Sequence, residues 1–443
     1  MKTHKALFII VVSTCFLLSS LFPVFPGQEI SSAQTQTKKK NLENGLTLIY
    51  QKDASSAITV IQILIGGGMK ADPVDKQGLA YITTRLALEI PDDITAQNMM
   101  SQASQVYLMC LGDYSLINVT SLSENLDETI KIVSQIILDP LFSAIRIDSI
   151  KKQMDYRKKT QEDDAINVGR NAALERFFAG TGYGGSVLGS EKSLKAIKRK
   201  DIKNFYDNHF KAGNMVVAAI SDMEEEALCG ILESYLIQFP AGKPAEPQDL
   251  TVSPSEDDHI FIEKDTKQYF VSLSFPLPEV TINNYTLAYM IENLLGKGPN
   301  SRLWSLRAQE KLAYNVNSRL TQMKYGGMME AYLETDKEKK EAAVGALRKV
   351  LTDLYENGIT KEEFEVTKTF SKASFLRENE TKTTRAINLS SFEALGLGFT
   401  FLYGLPAEME AISLEEINAY IKDIFDPAKG LEIIIGPEEE NQQ

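Results

Sequence analysis

Apolar positions along the chain recur with two spacings. Leu122, Leu126, Ile130, Val133, Ile136 and Ile137 stand three and four apart, as do Leu287, Ile291, Leu294 and Leu295, which predicts amphipathic helices. β-Branched runs such as 58–65 predict strands. The order of these segments repeats. Gln51-Lys52-Asp53 precedes the strand-like run 57–65 and the helical opening Leu79-Ala80-Tyr81-Ile82; Glu263-Lys264-Asp265 precedes the run 269–275 and Leu287-Ala288-Tyr289-Met290. A helix carrying Ile202, Phe205 and Tyr206 leads into a strand at 215–220. Its counterpart carrying Ile417, Tyr420 and Ile421, at an offset of 215 residues (Ile202 to Ile417), leads into one at 431–435. A long-range repeat of this kind predicts two tandem homologous domains. Because strand and helix blocks do not alternate strictly, the expected class is α+β, each domain a mainly antiparallel sheet with helices packed on one face.

The stretch 240–258, with four prolines, a glycine and several acids, has the composition of a linker and separates domains at 41–239 and 259–438. At the N-terminus, Lys2 and Lys5 precede an uncharged run at 6–25, and Ser31 and Ala33 offer a small-residue cleavage point before Gln34. This reads as an export signal over 1–33 followed by a polar leader over 34–40, and so as a periplasmic or extracellular protein. An uncleaved membrane anchor is the competing reading, since about 20 apolar residues span a bilayer. Cys15 leaves with the signal, while Cys110 and Cys229 lie in apolar surroundings and read as buried thiols rather than a bridge or a nucleophile.

With 43% apolar and 24% charged residues in 443, the chain is neither collagen-like, nor a disulfide scaffold, nor wholly disordered. Its 47 Lys and Arg against 60 Asp and Glu give a net charge of −13, which argues against a nucleic-acid or anionic-lipid binder. Histidines number three. Neither His209 nor His259 has a His, Cys or Glu partner at ligand spacing; His209 reads as a capping or packing residue at a helix end, and His259, after Asp257-Asp258 of the linker, as a solvated one. Gln161-Glu162-Asp163-Asp164 lacks the glycine and the regular oxygen spacing of a calcium loop. Gly66-Gly67-Gly68-Met69-Lys70 lacks the Ser/Thr and the spacing of a phosphate loop. No cofactor or metal is expected.

An ordered series of short motifs runs through both halves. It comprises Asn44-Gly45-Leu46, Gly66-Gly67-Gly68, Gly78-Leu79-Ala80, Asp113-Tyr114, the helix from Ser123 to Asp139-Pro140, and the turn Gly182-Tyr183-Gly184 to Leu188-Gly189. Phe205-Tyr206 with His209-Phe210 follows, then Asn300-Ser301-Arg302-Leu303 and Leu312-Ala313-Tyr314. Over nearly the whole mature chain this order resembles the insulysin and pitrilysin family of zinc peptidases, in the branch of the mitochondrial processing peptidases and bacterial two-domain subunits.

Active members of that family carry H-x-x-E-H on the first helix, where two histidines hold zinc and the glutamate activates its water. The matching stretch here is Tyr81-Ile82-Thr83-Thr84-Arg85, and Tyr156-Arg157 stand where active relatives have a pair of glutamates. A phenol is a poor ligand, Thr84 is no carboxylate base, and Arg85 places a cation where a dication belongs.

In the second half the resemblance implies an Arg and a Tyr that face the zinc across the chamber, here Arg307 and Tyr314 seven positions apart. Arg can hold a peptide carbonyl and a phenol can donate to a forming oxyanion. Ser301 is expected to cap a short helix from Arg302 to about Glu310, and Tyr314 to open a strand. Lys311 stands where relatives often have glycine, which shifts the expected placement of that turn. On ordinary exposure alone, Arg307 is a solvent-facing helix residue and Tyr314 a half-buried strand residue. The resemblance implies an exported subunit, silent by itself, that pairs with a zinc-bearing homologue and acts on peptide or unfolded polypeptide. The contrasting class is a stand-alone peptide-binding or assembly module.

Overall fold

The computed structural model describes residues 37–242 and 259–438; the export-signal reading over 1–33, and 243–258 of the linker, lie outside them. The first half runs β1 (Thr37–Asn41), β2 (Thr47–Lys52), β3 (Ile58–Gly66), α1 (Leu79–Ala87), α2 (Asp93–Ser101), β4 (Gln105–Cys110) and β5 (Tyr114–Leu122). It continues through α3 (Leu126–Leu138), α4 (Ala144–Glu162), α5 (Ala165–Phe177), α6 (Glu191–Ala196), α7 (Arg199–His209), β6 (Met215–Ser221) and α8 (Glu225–Leu236). The second half runs β7 (His259–Glu263), β8 (Tyr269–Leu277), α9 (Ile282–Gly296), α10 (Trp304–Ala308), β9 (Asn315–Met323) and β10 (Gly326–Thr335). After these come α11 (Lys340–Asn357), α12 (Lys361–Glu378), α13 (Lys382–Leu395), α14 (Phe401–Ala411), α15 (Leu414–Ile424) and β11 (Leu431–Gly436).

Two sheets result, ordered β1-β2-β6-β3-β5-β4 and β7-β11-β8-β10-β9. Apart from the extra edge strand β1, their orders are the same. Each contains one parallel pair, β2 with β6 and β7 with β11, and is otherwise antiparallel. The fold is α+β, with the repeat seen in the sequence. The strand alternation of β3 divides its side chains between two cores: Ile61, Ile63 and Ile65 join Ile130, Val133 and Leu232 of α3 and α8, whereas Val60 faces the opposite way.

That opposite face is covered by the other half. Helix α13 lies across β3 and β6, bringing Ala386, Leu389 and Phe392 into one core with Val60, Ala218 and Ile220. Reciprocally, α5 of the first half lies across β8 and β11, where Ala173, Leu174 and Phe177 pack on Phe270, Leu431, Ile433 and Ile435. Each sheet therefore has its own helices on one face and one borrowed helix on the other, an arrangement that apolar spacing cannot reveal. Phe177 and Phe178 are fully buried there, and losing either ring would cost on the order of 3–5 kcal/mol.

Polar contacts fix the exchange. The Lys382 ammonium, 8% exposed, donates to the carbonyls of Asp53, Ser56 and Ile58 at 2.8, 2.9 and 2.9 Å. Arg385 donates to Gln51 and pairs with Asp53. The Tyr403 hydroxyl meets Thr37 and Gln51 at 2.7 and 2.8 Å.

Three local expectations differ from the structure. Leu122 ends β5, and the helix begins four residues later at Leu126. The leader expected over 34–40 is in part a strand, β1, which pairs antiparallel with β2, while His259, exposed as expected, opens β7 with its Nδ1 3.0 Å from the buried Glu432 carboxylate. Ser301 does not cap a helix: its hydroxyl donates to the Gly298 carbonyl within a turn, and α10 starts only at Trp304.

Candidate functional site

Helix α1 is pinned at its start. Gly78 takes φ +91°, Asp72 accepts from the Gly78 and Ala80 amides at 2.8 and 2.7 Å, and burial pushes the Asp72 carboxyl up to about 7 against these donors. This fixes the rotation of α1 and so the direction of every later side chain on it. Tyr81 turns toward α4, where Nη1 of Arg157 donates to its hydroxyl at 2.6 Å. Thr84 is buried, donating to the Ala80 carbonyl at 2.9 Å and to Ser115 at 3.1 Å. Arg85 pairs with Glu89 at 2.6 Å, and the second oxygen of Glu89 takes Arg146 at 3.2 Å. The two segments expected to match the zinc-holding ones of active relatives are thus adjacent, joined by a phenol and a guanidinium.

Zinc does not fit these residues. A guanidinium that never deprotonates stands within hydrogen-bond distance of the first ligand position, and the base position carries a hydroxyl already committed to backbone. Among the described residues no group of three or more His, Cys, Asp or Glu could hold a metal ion.

In the second half the structure places Arg307 and Tyr314 separately. Arg307 is on the exposed side of α10, its guanidinium 5.1 Å from the centre of the Trp304 ring. Tyr314 precedes β9, is 59% exposed, and donates from its hydroxyl to Asp336 at 3.2 Å while its amide is held by the Glu334 carbonyl. No hydrogen bond joins the two side chains among the described residues. The turn between them keeps a left-handed residue: Lys311 takes φ +55°, so the backbone conformation that glycine favours is retained by a lysine.

Several of the remaining sequence motifs, among them Gly66-Gly67, Asp113-Tyr114 and His209, gather at the joint between the halves. Asp113 is buried and accepts Lys70 Nζ at 3.1 Å, the Tyr183 hydroxyl at 2.5 Å and the Lys324 amide of the second half at 2.9 Å. Gly68 takes φ +55°, and a Cβ there would meet the Leu111 carbonyl and the Tyr114 amide at 2.4 Å. A cavity of about 370 Å³ lies here, lined by Gly66, Gly67, Lys70, His209, Lys324 and Tyr325 among others. Burial holds the His209 imidazole down, to about 4, and its ring lies against Phe205 at 4.2 Å, the packing role expected of it. Cys110 is buried with its thiol pushed up to about 12, and Cys229 is half-buried; both are free thiols. Asp72, Glu89 and Asp336, which order these sites, carry no sequence signal beyond an acid near a helix or turn.

Fold and site together define a two-domain α+β architecture in which a phenol–guanidinium contact joins α1 and α4. Residues 196–370 match the family model described as the peptidase M16 inactive domain. The non-peptidase homolog YmxG of Helicobacter pylori is 25% identical over 413 residues, spanning 92% of this chain and 95% of that protein. The mitochondrial-processing peptidase subunit beta of Saccharomyces cerevisiae is 23% identical over 49% of this chain and 48% of its own. A solved peptidase M16 inactive domain from Pseudomonas fluorescens superimposes with a TM-score of 0.83 at 18% identity, covering 92% of this chain and 99% of the other. Over most of its length the chain is similar to members of the peptidase M16 family.

Proposed function

We propose that this protein is an exported, non-catalytic subunit that pairs with a zinc-bearing homologue and lends Arg307 and Tyr314 to that partner's peptide site. The observation that carries the reading is the asymmetry between the halves. The metal position is filled by Tyr81 and Arg157, while Arg307 and Tyr314 remain exposed and free of the core. Alone, the chain has no group to activate water at the family's catalytic position. The similarity to a protein named as a processing-peptidase subunit supports assembly with another chain, and the uncharged run at 6–25 supports export. A permanent assembly of this kind buries more than about 1,000 Å².

The test is to mix the purified chain with a zinc-bearing homologue from the same organism. Light scattering at micromolar concentration is expected to show a complex heavier than either protein, with peptide hydrolysis only in the mixture. Tyr314→Phe removes the hydroxyl alone, and Arg307→Lys keeps the charge but not the planar fork. Each should assemble normally and lower kcat/KM by roughly two to three decades, the scale of one lost transition-state donor. Unmixed species at every ratio would leave the stand-alone binding module as the better description.

A further inference from the structure

Arg157 is an exposed residue on α4, and among the described residues its one hydrogen bond is the 2.6 Å contact to the hydroxyl of the buried Tyr81. A guanidinium has five N–H donors, so the remaining fork is open. Three acids on α4 or just past the end of α1 are already engaged. Glu89 is shared by Arg85 and Arg146, Asp155 takes Lys159 at 2.8 Å, and Glu162 takes Lys158 at 3.5 Å. Among the described residues Arg157 has no acidic partner. Helix α4 carries six Lys or Arg against three Asp or Glu, in a chain whose net charge is −13, so the local field opposes the global one.

We infer that the position given up by zinc is a carboxylate-binding site, in which Tyr81 positions Arg157 and Arg157 takes a peptide carboxylate, either a free C-terminus or an acidic side chain. The replacement reverses the sign of the site: where a dication would polarise a carbonyl, a fixed planar cation receives an anion through two parallel hydrogen bonds. Tyr81 gives the guanidinium its orientation, since the phenol is held by a helix whose start Asp72 fixes. The inference goes beyond the subunit reading and needs only this chain, so it stands or falls without any peptidase partner.

The experiment titrates the full-length mature protein against one N-terminally labelled, Ala/Gly-rich decapeptide in three forms, read by fluorescence anisotropy. The forms are a free C-terminal carboxylate, a C-terminal amide, and a C-terminal amide with one internal Glu. At least one acidic form is expected to bind tenfold or more tighter than the neutral amide, and which one does so identifies the source of the carboxylate. Arg157→Gln should remove the difference, Arg157→Lys should keep part of it, and Tyr81→Phe should weaken it severalfold. Thermal unfolding of Arg157→Gln is expected to match the parent because the side chain is exposed, which separates lost recognition from lost fold. Equal binding of all three peptides, binding of none at millimolar concentration, or an unchanged preference in Arg157→Gln overturns the inference.

Discussion

Arg170 and Arg385 occupy equivalent positions, one repeat offset apart, on the two helices that the halves exchange. Their surroundings differ. Arg385 pairs with Asp53 and bonds Gln51 and two backbone carbonyls, so its fork is satisfied. Arg170 is half-buried with its Nε unpartnered, and nearby Glu330 is fully buried with neither carboxylate oxygen hydrogen-bonded. One joint of the pseudo-symmetric pair is a completed network and the other a strained one.

Arg385→Met is therefore expected to lower stability by about 2–3 kcal/mol, because it strands Asp53 across the joint and leaves the Asn379 and Glu380 carbonyls without this donor. Arg170→Met should cost less than half as much. Lys382→Met, which leaves three carbonyls without their donor, should resemble Arg385→Met. Urea unfolding of the three variants measures this, and equal losses at Arg170 and Arg385 would contradict it.

Glu330 makes the second joint sensitive to pH. Burial pushes its carboxyl up to about 7 although Arg319 lies 3.7 Å away, while an unfolded glutamate titrates near 4.3. Between these values the folded state holds the extra proton, so this group's contribution to stability falls as pH rises from about 4 to about 7 and is constant above. Glu330→Gln should flatten part of that slope in urea midpoints measured from pH 5 to 8. Asp72, raised to about 7 as well, should keep the remainder.

His209 works with the opposite sign. Its folded value near 4 lies below the unfolded value of about 6.5, so the unfolded state binds the proton first and stability falls as pH drops through that window. The imidazole should remain neutral from pH 5.5 to 8, which its ring-proton NMR shifts will report. A titration midpoint near 6.5 in the folded protein would contradict this.

The parent protein should hold no stoichiometric zinc by elemental analysis. The triple variant Tyr81→His, Arg85→His, Arg157→Glu should hold one, since the Tyr81–Arg157 contact shows that side chains of α1 and α4 meet at this position. Thr84 is left unchanged there because it is buried and packed. Zinc in the parent at one per chain would contradict the reading of the site.

Much of this architecture could be read from spacing, and the remainder could not for definite reasons. The repeat was legible because Ile202 and Ile417 sit in the same local pattern, and the strand at 58–65 because β-branched residues crowd it. The exchange of α5 and α13 was not, since the spacing of Leu389 and Phe392 shows that one face is buried but not against which sheet. Leu122 continued a helical period and yet belongs to β5, where pairing with Ile58 outweighs it. The resemblance named Tyr81 and Arg157 separately, but they are 76 residues apart, and only the packing of α1 on α4 brings them into contact.

The exchanged helices also bear on how the molecule can move. Swinging the two sheets apart would drag α13 off β3 and α5 off β8, exposing both cores and breaking the Lys382 and Arg385 contacts together. The exchanged packing therefore opposes a hinge motion between the halves. Cutting the connection at 243–258 should therefore leave two fragments that still travel as a single particle.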